Sequence, residues 1–329
     1  MRRNILTCAA AALALSASLC SAQSKPPSAP APKPDAIQAK PTGPNFPPVP
    51  PGNFTAAQPT KAQVDAFLKT SWGYDPNRKW EVYGIQKTKA PGVSKVEVLL
   101  GETPSPKLAS LIFFVTPDGK HLITQDSVID FGADPYAGNR RVLQQSANGP
   151  WKGSASKQFL LVEFADFQCP HCKDAQPVVQ KLLHDFPQAR YVYQFFPLLA
   201  IHPEAFASAA YGECVQHLGG NAAFFKYADA IFTNQDQLDG SGADAALKSA
   251  ASAAGVDPAR AATCAASPET AKEVHASLQL GENLGVDETP TLFIDGRRIP
   301  MLAVPYPQLK KIVEWQFSLD KSQPAAASK

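Results

Sequence analysis

An apolar run that stops at a pair of cysteines sets the strongest limit on how this chain can fold. The run is QFLLVEFADF, residues 158–167, and Cys169 and Cys172 follow it at a spacing of three. Such a nearly continuous apolar run is typical of a strand buried on both faces of a sheet, although the acid Glu163 is embedded in it. A helical pattern follows in CKDAQPVVQKLLHDF, residues 172–186. The cysteines therefore lie where a buried strand passes into a helix.

The first 22 residues predict a secretory signal. Arg2 and Arg3 form its charged start, the apolar stretch ILTCAAAALALSASL follows, and small residues end it at Cys20-Ser21-Ala22. A membrane span needs about 20 apolar residues, more than this stretch offers, although an uncleaved signal that anchors the chain stays open as an alternative. We therefore expect a periplasmic or otherwise extracytoplasmic protein.

Charge and cysteine content narrow the classes of partner. The chain has 31 Lys and Arg residues against 29 Asp and Glu, and no basic tract follows its N-terminus, so nothing predicts binding to nucleic acid. Cleavage would remove the two cysteines of the signal and leave Cys169, Cys172, Cys214 and Cys264. Four thiols in an oxidising compartment favour disulfide chemistry over metal binding.

Three kinds of site could use CPHC, residues 169–172. A structural zinc needs about four ligands, usually as two closely spaced pairs, and the chain has one such pair, so we expect no metal. A structural disulfide across so short a loop would restrain the unfolded chain little and add little stability. A redox pair fits better, because a cysteine at a helix N-terminus meets unpaired N–H groups that favour the reactive thiolate.

Each residue of the tetrapeptide has a predicted role in a redox site. Cys169 would be the exposed nucleophile, and Pro170 suits the first helical turn, where its missing N–H costs nothing. Cys172 would lie one turn into the helix and resolve the mixed disulfide by attacking Cys169. His171 would add positive charge or a hydrogen bond to the thiolate. We expect no cofactor.

These residues carry a resemblance to a known family. The segment from about residue 151 to 319 resembles the thioredoxin superfamily and, within it, the DsbA-type secreted disulfide oxidoreductases, whose helical insert splits the fold. CPHC is the active-site tetrapeptide typical of DsbA. Glu163 falls where the superfamily keeps a buried acid, and Pro177 matches the proline that kinks the active-site helix. Thr289-Pro290 matches the motif whose proline is cis.

The resemblance implies roles for residues outside the tetrapeptide. Glu163 would relay a proton from Cys172, with a pKa raised by burial. Pro290 would be cis and would leave a free backbone edge beside Cys169, where a substrate strand could pair. Thr289 would shape that edge.

The remaining cysteines, Cys214 and Cys264, fall in the predicted insert. Some DsbA-like proteins pair cysteines there, so the resemblance implies a structural disulfide, and two buried unpaired thiols are the alternative. A loop of this length corresponds to roughly 4 kcal/mol in the chain-entropy model.

The predicted fold class is α/β: a thioredoxin fold with an all-helical insertion, preceded by a small α+β domain and a Pro-rich tether. Residues 23–59 hold 12 of the chain's 31 prolines and should be solvated and extended. The predicted boundaries are 1–22 for the signal peptide, 23–59 for the tether, 60–138 for the small domain, 139–150 for a linker helix, 151–321 for the thioredoxin-like domain with its insert at 203–284, and 322–329 for a disordered tail.

The resemblance implies a secreted dithiol oxidase. Unfolded secreted proteins would reduce the Cys169–Cys172 disulfide, and a quinone-linked membrane partner would reoxidise it. In residues 60–148, the segment FFVTPDGKHLITQDSVIDF is faintly similar to the N-terminal dimerisation domain of DsbC and DsbG. This keeps open a homodimeric isomerase or reductase that acts on misoxidised proteins and takes electrons from a membrane donor, although those isomerases usually carry tyrosine in place of His171. A third hypothesis treats the N-terminal unit as a surface-tethered docking module for one dedicated client.

Overall fold

The computed structural model describes residues 43–124 and 128–322. The predicted signal peptide, the first part of the predicted tether and the residues after 322 lie outside this part of the chain. Within it, no helix is long and apolar enough to cross a membrane. The described residues form two five-stranded sheets.

The first sheet is an antiparallel meander in the order β1-β2-β3-β4-β5. One helix, α1 (Lys61–Trp72), begins after Thr60, whose side chain takes part in a capping box. Its apolar face is buried in one cluster with the strands and consists of Val64, Phe67 and Leu68. The strands are β1 (Arg78–Lys87), β2 (Ser94–Glu102), β3 (Leu108–Val115), β4 (His121–Ile123) and β5 (Val128–Asp130).

The end of the predicted tether belongs to this first unit. Phe54 forms a β-bridge with Ile85 of β1, and the backbone N–H groups of Thr55 and Ala56 donate to the Ile85 carbonyl. The prediction of a solvated tether over 23–59 is therefore wrong for these residues. Backbone pairing needs no large apolar side chains, so composition alone did not indicate it.

The second sheet has the order β10-β9-β7-β8-β6, in which β7 runs parallel to β8 and antiparallel to β9. The sequence predicted the central strand β7 but not the edge strand β6. The elements in chain order are α2 (Ala137–Ser146), β6 (Trp151–Gly153), β7 (Leu160–Ala165), α3 (Pro170–Asp185), β8 (Arg190–Phe195), α4 (Ala205–Thr233), α5 (Ala243–Ala253), α6 (Pro258–Ala265), α7 (Pro268–Asn283), β9 (Thr291–Ile294), β10 (Arg297–Pro300) and α8 (Tyr306–Ser322).

Strand β7 is buried at every position, and its side chains alternate between two clusters. Leu161 and Ala165 pack in the cluster that contains residues of α3 and α8. Val162 and Phe164 pack in the opposite cluster, with residues of α2 and α7. Because successive side chains of a strand point to opposite faces, Glu163 faces the α3 side of the sheet.

The predicted helical insert contains four helices, α4 to α7. Helix α4 is interrupted at Gly220, whose φ of 76° lies in the left-handed region that favours glycine. Leu280 of α7 packs with Val162 and Phe293 in the second cluster, so α7 covers the sheet face opposite α3. The insert proper is therefore α4 to α6.

Candidate active site

The two cysteines of CPHC lie at the start of α3, as the sequence predicts. Cys169 is the N-cap residue with an extended backbone, Pro170 opens the helix, and Pro177 lies inside it. Neither Cys169 nor Cys172 is in a disulfide. The strand-to-helix junction thus presents both sulfurs at a helix N-terminus.

The Cys169 thiol is acidic. A hydrogen bond from the Cys172 thiol is the largest cause that lowers its pKa to about 5, with contributions from Thr289 and from the backbone N–H groups of His171 and Cys172. The prediction that Cys169 is exposed is wrong, since only 4% of the residue is accessible. Its Sγ lies 3.5 Å from the Thr289 carbonyl oxygen, so the segment before β9 covers it.

The Cys172 thiol has the opposite character. It is fully buried, and desolvation is the main cause that raises its pKa well above the ordinary value. The backbone N–H of Asp166 donates to its Sγ at 3.4 Å. One thiol of the pair is therefore suited to ionise at neutral pH and the other to hold its proton.

The His171 side chain is exposed, like Pro170 beside it. Within the described part of the chain, the imidazole has no hydrogen-bond partner, and it is the backbone N–H of His171 that stabilises the Cys169 thiolate. The structure thus places His171 at the mouth of the site without the ring contact that the sequence suggested.

Glu163 lies behind the cysteines in a fully buried position. Desolvation raises the pKa of its carboxyl to about 7, although a hydrogen bond from the Tyr191 hydroxyl and the charge of Lys152 both act in the opposite direction. The charge of Glu163 in turn helps to raise the pKa of Cys172. This carboxyl can therefore exchange a proton near neutral pH, close to the buried thiol.

The Thr289–Pro290 peptide bond is cis, and both residues are buried. The hydroxyl of Thr289 has no hydrogen-bond partner within the described residues, whereas its carbonyl oxygen faces Cys169 Sγ. The structure thus brings the predicted proline motif and the predicted nucleophile together across 120 residues of sequence.

Sequence reasoning missed three side chains around Glu163. Tyr191 and Tyr193 lie on β8, and Glu163 pairs with Tyr193 in the β7–β8 register. The Tyr193 hydroxyl is buried without a partner in the described residues. Lys152 extends from β6, with Nζ 4.4 Å from the Phe225 ring centroid. The alternation in RYVYQF could have indicated both tyrosines, but β6 gave no signal for Lys152.

Asp166 was also missed, and it organises the loop after β7. Its carboxylate accepts from the backbone N–H groups of Gln168 and Leu198, each at 2.8 Å. The His202 ring nitrogen Nδ1 lies 2.7 Å from the same carboxylate. His202 therefore reaches the site through Asp166 and does not touch either sulfur.

Cys214 and Cys264 form a disulfide between α4 and α6, with Cα atoms 5.8 Å apart. This is the pairing that the resemblance implies. The Thr270 hydroxyl lies 3.4 Å from the Cys214 sulfur, so α7 contacts the same bridge.

One group of side chains in the described part of the chain has the spacing to bind a metal ion. Atoms of Glu213 and His217 of α4 and of Glu273 of α7 lie within 4.8 Å of one another. The imidazole contacts both carboxylates, at 3.3 and 3.5 Å. The group supplies three ligands, one fewer than a structural zinc site requires.

A family model described as thioredoxin matches residues 145–314. The chain is 32% identical over 147 residues to the Na(+)/H(+) antiporter NhaA 3 of Salinispora tropica, a match that covers 45% of this chain and 22% of the antiporter. The chain thus spans about a fifth of the length of the curated relatives it matches.

Solved structures are similar over about half of the chain. A periplasmic thioredoxin-like protein from Salmonella enterica serovar Typhimurium is 21% identical, with 55% of this chain and 97% of that chain covered and a TM-score of 0.47. BdbD from Bacillus subtilis is also 21% identical, with 52% and 93% covered and a TM-score of 0.46.

Proposed function

Because the chain belongs to the thioredoxin family, we propose that it is a thiol–disulfide oxidoreductase that exchanges disulfides with client proteins through Cys169 and Cys172. The observation that carries this proposal is the opposite pKa perturbation of the two thiols at the start of α3. A low-pKa thiol is both a ready nucleophile and a good leaving group in disulfide exchange.

As an oxidase, the protein starts from the Cys169–Cys172 disulfide. A client thiolate attacks Cys169 Sγ, the bond between the two protein sulfurs breaks, and Cys172 takes the electron pair. A second client thiolate then attacks the client sulfur of the mixed disulfide, and Cys169 leaves as a thiolate. The client loses two electrons, and the protein keeps them as a dithiol.

The buried Glu163 carboxyl supplies the proton for Cys172. A thiolate in a fully buried position is costly. The disulfide therefore breaks more easily when a proton reaches Cys172 together with the electron pair. A carboxyl with a pKa of about 7 can donate a proton at neutral pH and recover it afterwards. In the reverse direction the same group takes the proton of Cys172 before it attacks Cys169.

The cis Thr289–Pro290 segment provides the edge for client binding. The Thr289 carbonyl already faces the Cys169 sulfur, so a client backbone paired here would bring its own sulfur to Cys169. Client proteins would be unfolded or misoxidised chains outside the cytoplasm, reached through export by residues 1–22. A membrane redox partner, such as a quinone-linked oxidase, would restore the disulfide.

The equilibrium reduction potential of Cys169–Cys172 in glutathione buffers tests the direction of exchange. The thiolate-stabilising environment of Cys169 favours the reduced form, so we expect a value near the oxidising end, about −120 to −150 mV. A value near about −270 mV would exclude the oxidase and indicate a reductase. Loss of exchange in Cys169→Ser, with exchange retained in His171→Ala, tests the nucleophile separately.

A dimeric isomerase is the second candidate, and exposed apolar side chains of the first sheet favour it. Phe114 of β3 and Val128 of β5 are 39% and 61% exposed, and the register places both opposite Ile123 of β4. Side chains directly opposite one another share a sheet face, so the two belong to one apolar row that a second copy could cover. Sedimentation of the full chain decides this: a monomer at micromolar concentration excludes the dimeric isomerase.

A further inference from the structure

Residues of the helical insert form hydrogen bonds to the loop that carries Cys169. This loop, residues 166–169, connects β7 to α3. Beyond the end of α4, a short 3₁₀ turn at Gln235–Leu238 lies against it. The Gln235 side chain is 8% exposed, although glutamine is ordinarily a surface residue.

The buried amide of Gln235 bridges two carbonyls of the loop. Its Nε2 atom donates to the carbonyl oxygens of Phe167 and Cys169, each at 2.8 Å. An amide nitrogen carries two hydrogens, so both are used within the protein. The Cys169 carbonyl also accepts the first helical bonds, from the N–H groups of Cys172 and Lys173. Gln235 thus hydrogen-bonds to the N-cap residue of α3.

Other residues of the insert also contact this loop. The Gln168 side chain donates to the Asp239 carboxylate at 3.0 Å and accepts from the backbone N–H of Glu204 at 2.7 Å. The Phe167 ring packs on Tyr227, with ring centroids 5.4 Å apart. Three consecutive loop residues are therefore fixed by groups that come from the insert.

We infer that Gln235 is a positioning residue: by joining the Phe167 and Cys169 carbonyls, it holds the reactive sulfur at the N-terminus of α3. This inference rests on the proposed function, because it concerns the same thiolate. The orientation of the Cys169 carbonyl fixes the peptide plane that leads into the helix. That plane sets where the N–H groups of His171 and Cys172 point. The insert thereby controls how strongly the helix start stabilises the thiolate.

Replacement of Gln235 by methionine tests the inference in the full-length reduced protein. Methionine keeps the length of the side chain and removes both donors. Thiolate absorbance at 240 nm is followed against pH. Wild-type Cys169, with a pKa of about 5, is half ionised at pH 5. The displaced helix start should lose about 1 kcal/mol of thiolate stabilisation, which lowers the ratio of thiolate to thiol at pH 5 on the order of fivefold.

Gln237→Met is the matched control, because Gln237 is exposed on the same 3₁₀ turn. It should leave the titration unchanged. A titration of Gln235→Met that coincides with the wild type overturns the inference and leaves the proposed function standing. A wild-type protein with no thiol that ionises near pH 5 overturns the proposed function itself.

A second measurement covers the case in which Gln235→Met does not fold. Proton exchange of the side-chain amide groups is measured by NMR in the wild-type protein. The Gln235 amide should exchange many-fold more slowly than the exposed amide of Gln237, because both of its hydrogens are bonded and buried. Equal exchange rates at the two amides overturn the inference.

Discussion

Replacement of Glu163 by glutamine should stabilise the protein at alkaline pH while it slows disulfide exchange. The Glu163 carboxyl has a pKa of about 7 in the folded protein against an ordinary value of 4.5, because burial penalises its charged form. An acid with a raised pKa holds its proton more tightly in the folded state. Stability is therefore highest below about pH 4.5 and falls as the pH rises to about 7.

The magnitude follows from the difference between the two pKa values. At about 1.4 kcal/mol per pH unit, the buried charge lowers the free energy of unfolding by on the order of 3 kcal/mol above pH 7. Glutamine stays neutral and keeps an oxygen that can accept from the Tyr191 hydroxyl. The variant should therefore be about 3 kcal/mol more stable than the wild type at pH 8, and the two should become similar at pH 4.

Urea unfolding at pH 4 and pH 8 measures this difference, in a background that carries Cys169→Ser and Cys172→Ala so that no redox equilibrium interferes. Glu314→Gln, at an exposed position of α8, is the matched control and should change stability little at either pH. Exchange rates are compared in variants that retain both cysteines. A Glu163→Gln protein that is no more stable than the wild type at pH 8 would refute a carboxyl with a raised pKa.

Two further predictions concern the cysteines. Cys172→Ser should trap mixed disulfides between Cys169 and clients, visible on non-reducing gels, because the resolving thiol is gone; an absence of such adducts would contradict the order of attack. Replacing Cys214 and Cys264 together by alanine should lower the free energy of unfolding by up to about 4 kcal/mol, since a bridge with a sequence separation of 50 is lost. Exchange at the active site should persist, and its loss with the fold intact would mean that the bridge takes part in the chemistry.

Local sequence patterns predicted several elements of the C-terminal half correctly. A continuous apolar run predicted β7, a helical pattern predicted α3, and both are present. Four apolar residues recur at helical spacing near the end of this half and are buried in α8: Leu309, Ile312, Val313 and Phe317. These predictions hold because the periods of helix and strand are properties of neighbouring residues.

The segments that sequence missed lack such a period. Strand β6 has three residues, Trp151–Gly153, too few for an alternating pattern, yet it supplies the Lys152 charge beside Glu163. The pairing of Phe54 with Ile85 depends on backbone groups, which every residue type carries. Neither feature can be recognised from the amino-acid composition.

The contacts that join the part of the chain with the first sheet to the part with the second sheet were also not predictable. Trp315 of α8 donates from its indole to the Thr70 carbonyl of α1 at 2.9 Å, and the Arg297 guanidinium lies 5.3 Å from the Tyr74 ring centroid. These residues are ordinary in their local sequence. Only the fold brings them together.

The sequence by itself determined the chemistry that the site has available: two thiols at a helix start, the embedded acid Glu163, and a proline motif 120 residues after the first thiol. The tertiary structure decided how these groups behave. A pKa depends on burial and on charges within a few ångströms, and a hydrogen bond on distances of about 3 Å. The raised pKa of Glu163 and the two hydrogen bonds of Gln235 arise between residues that are far apart in the sequence. The acidity of Cys169 depends on the distant Thr289 as well as on its own helix start.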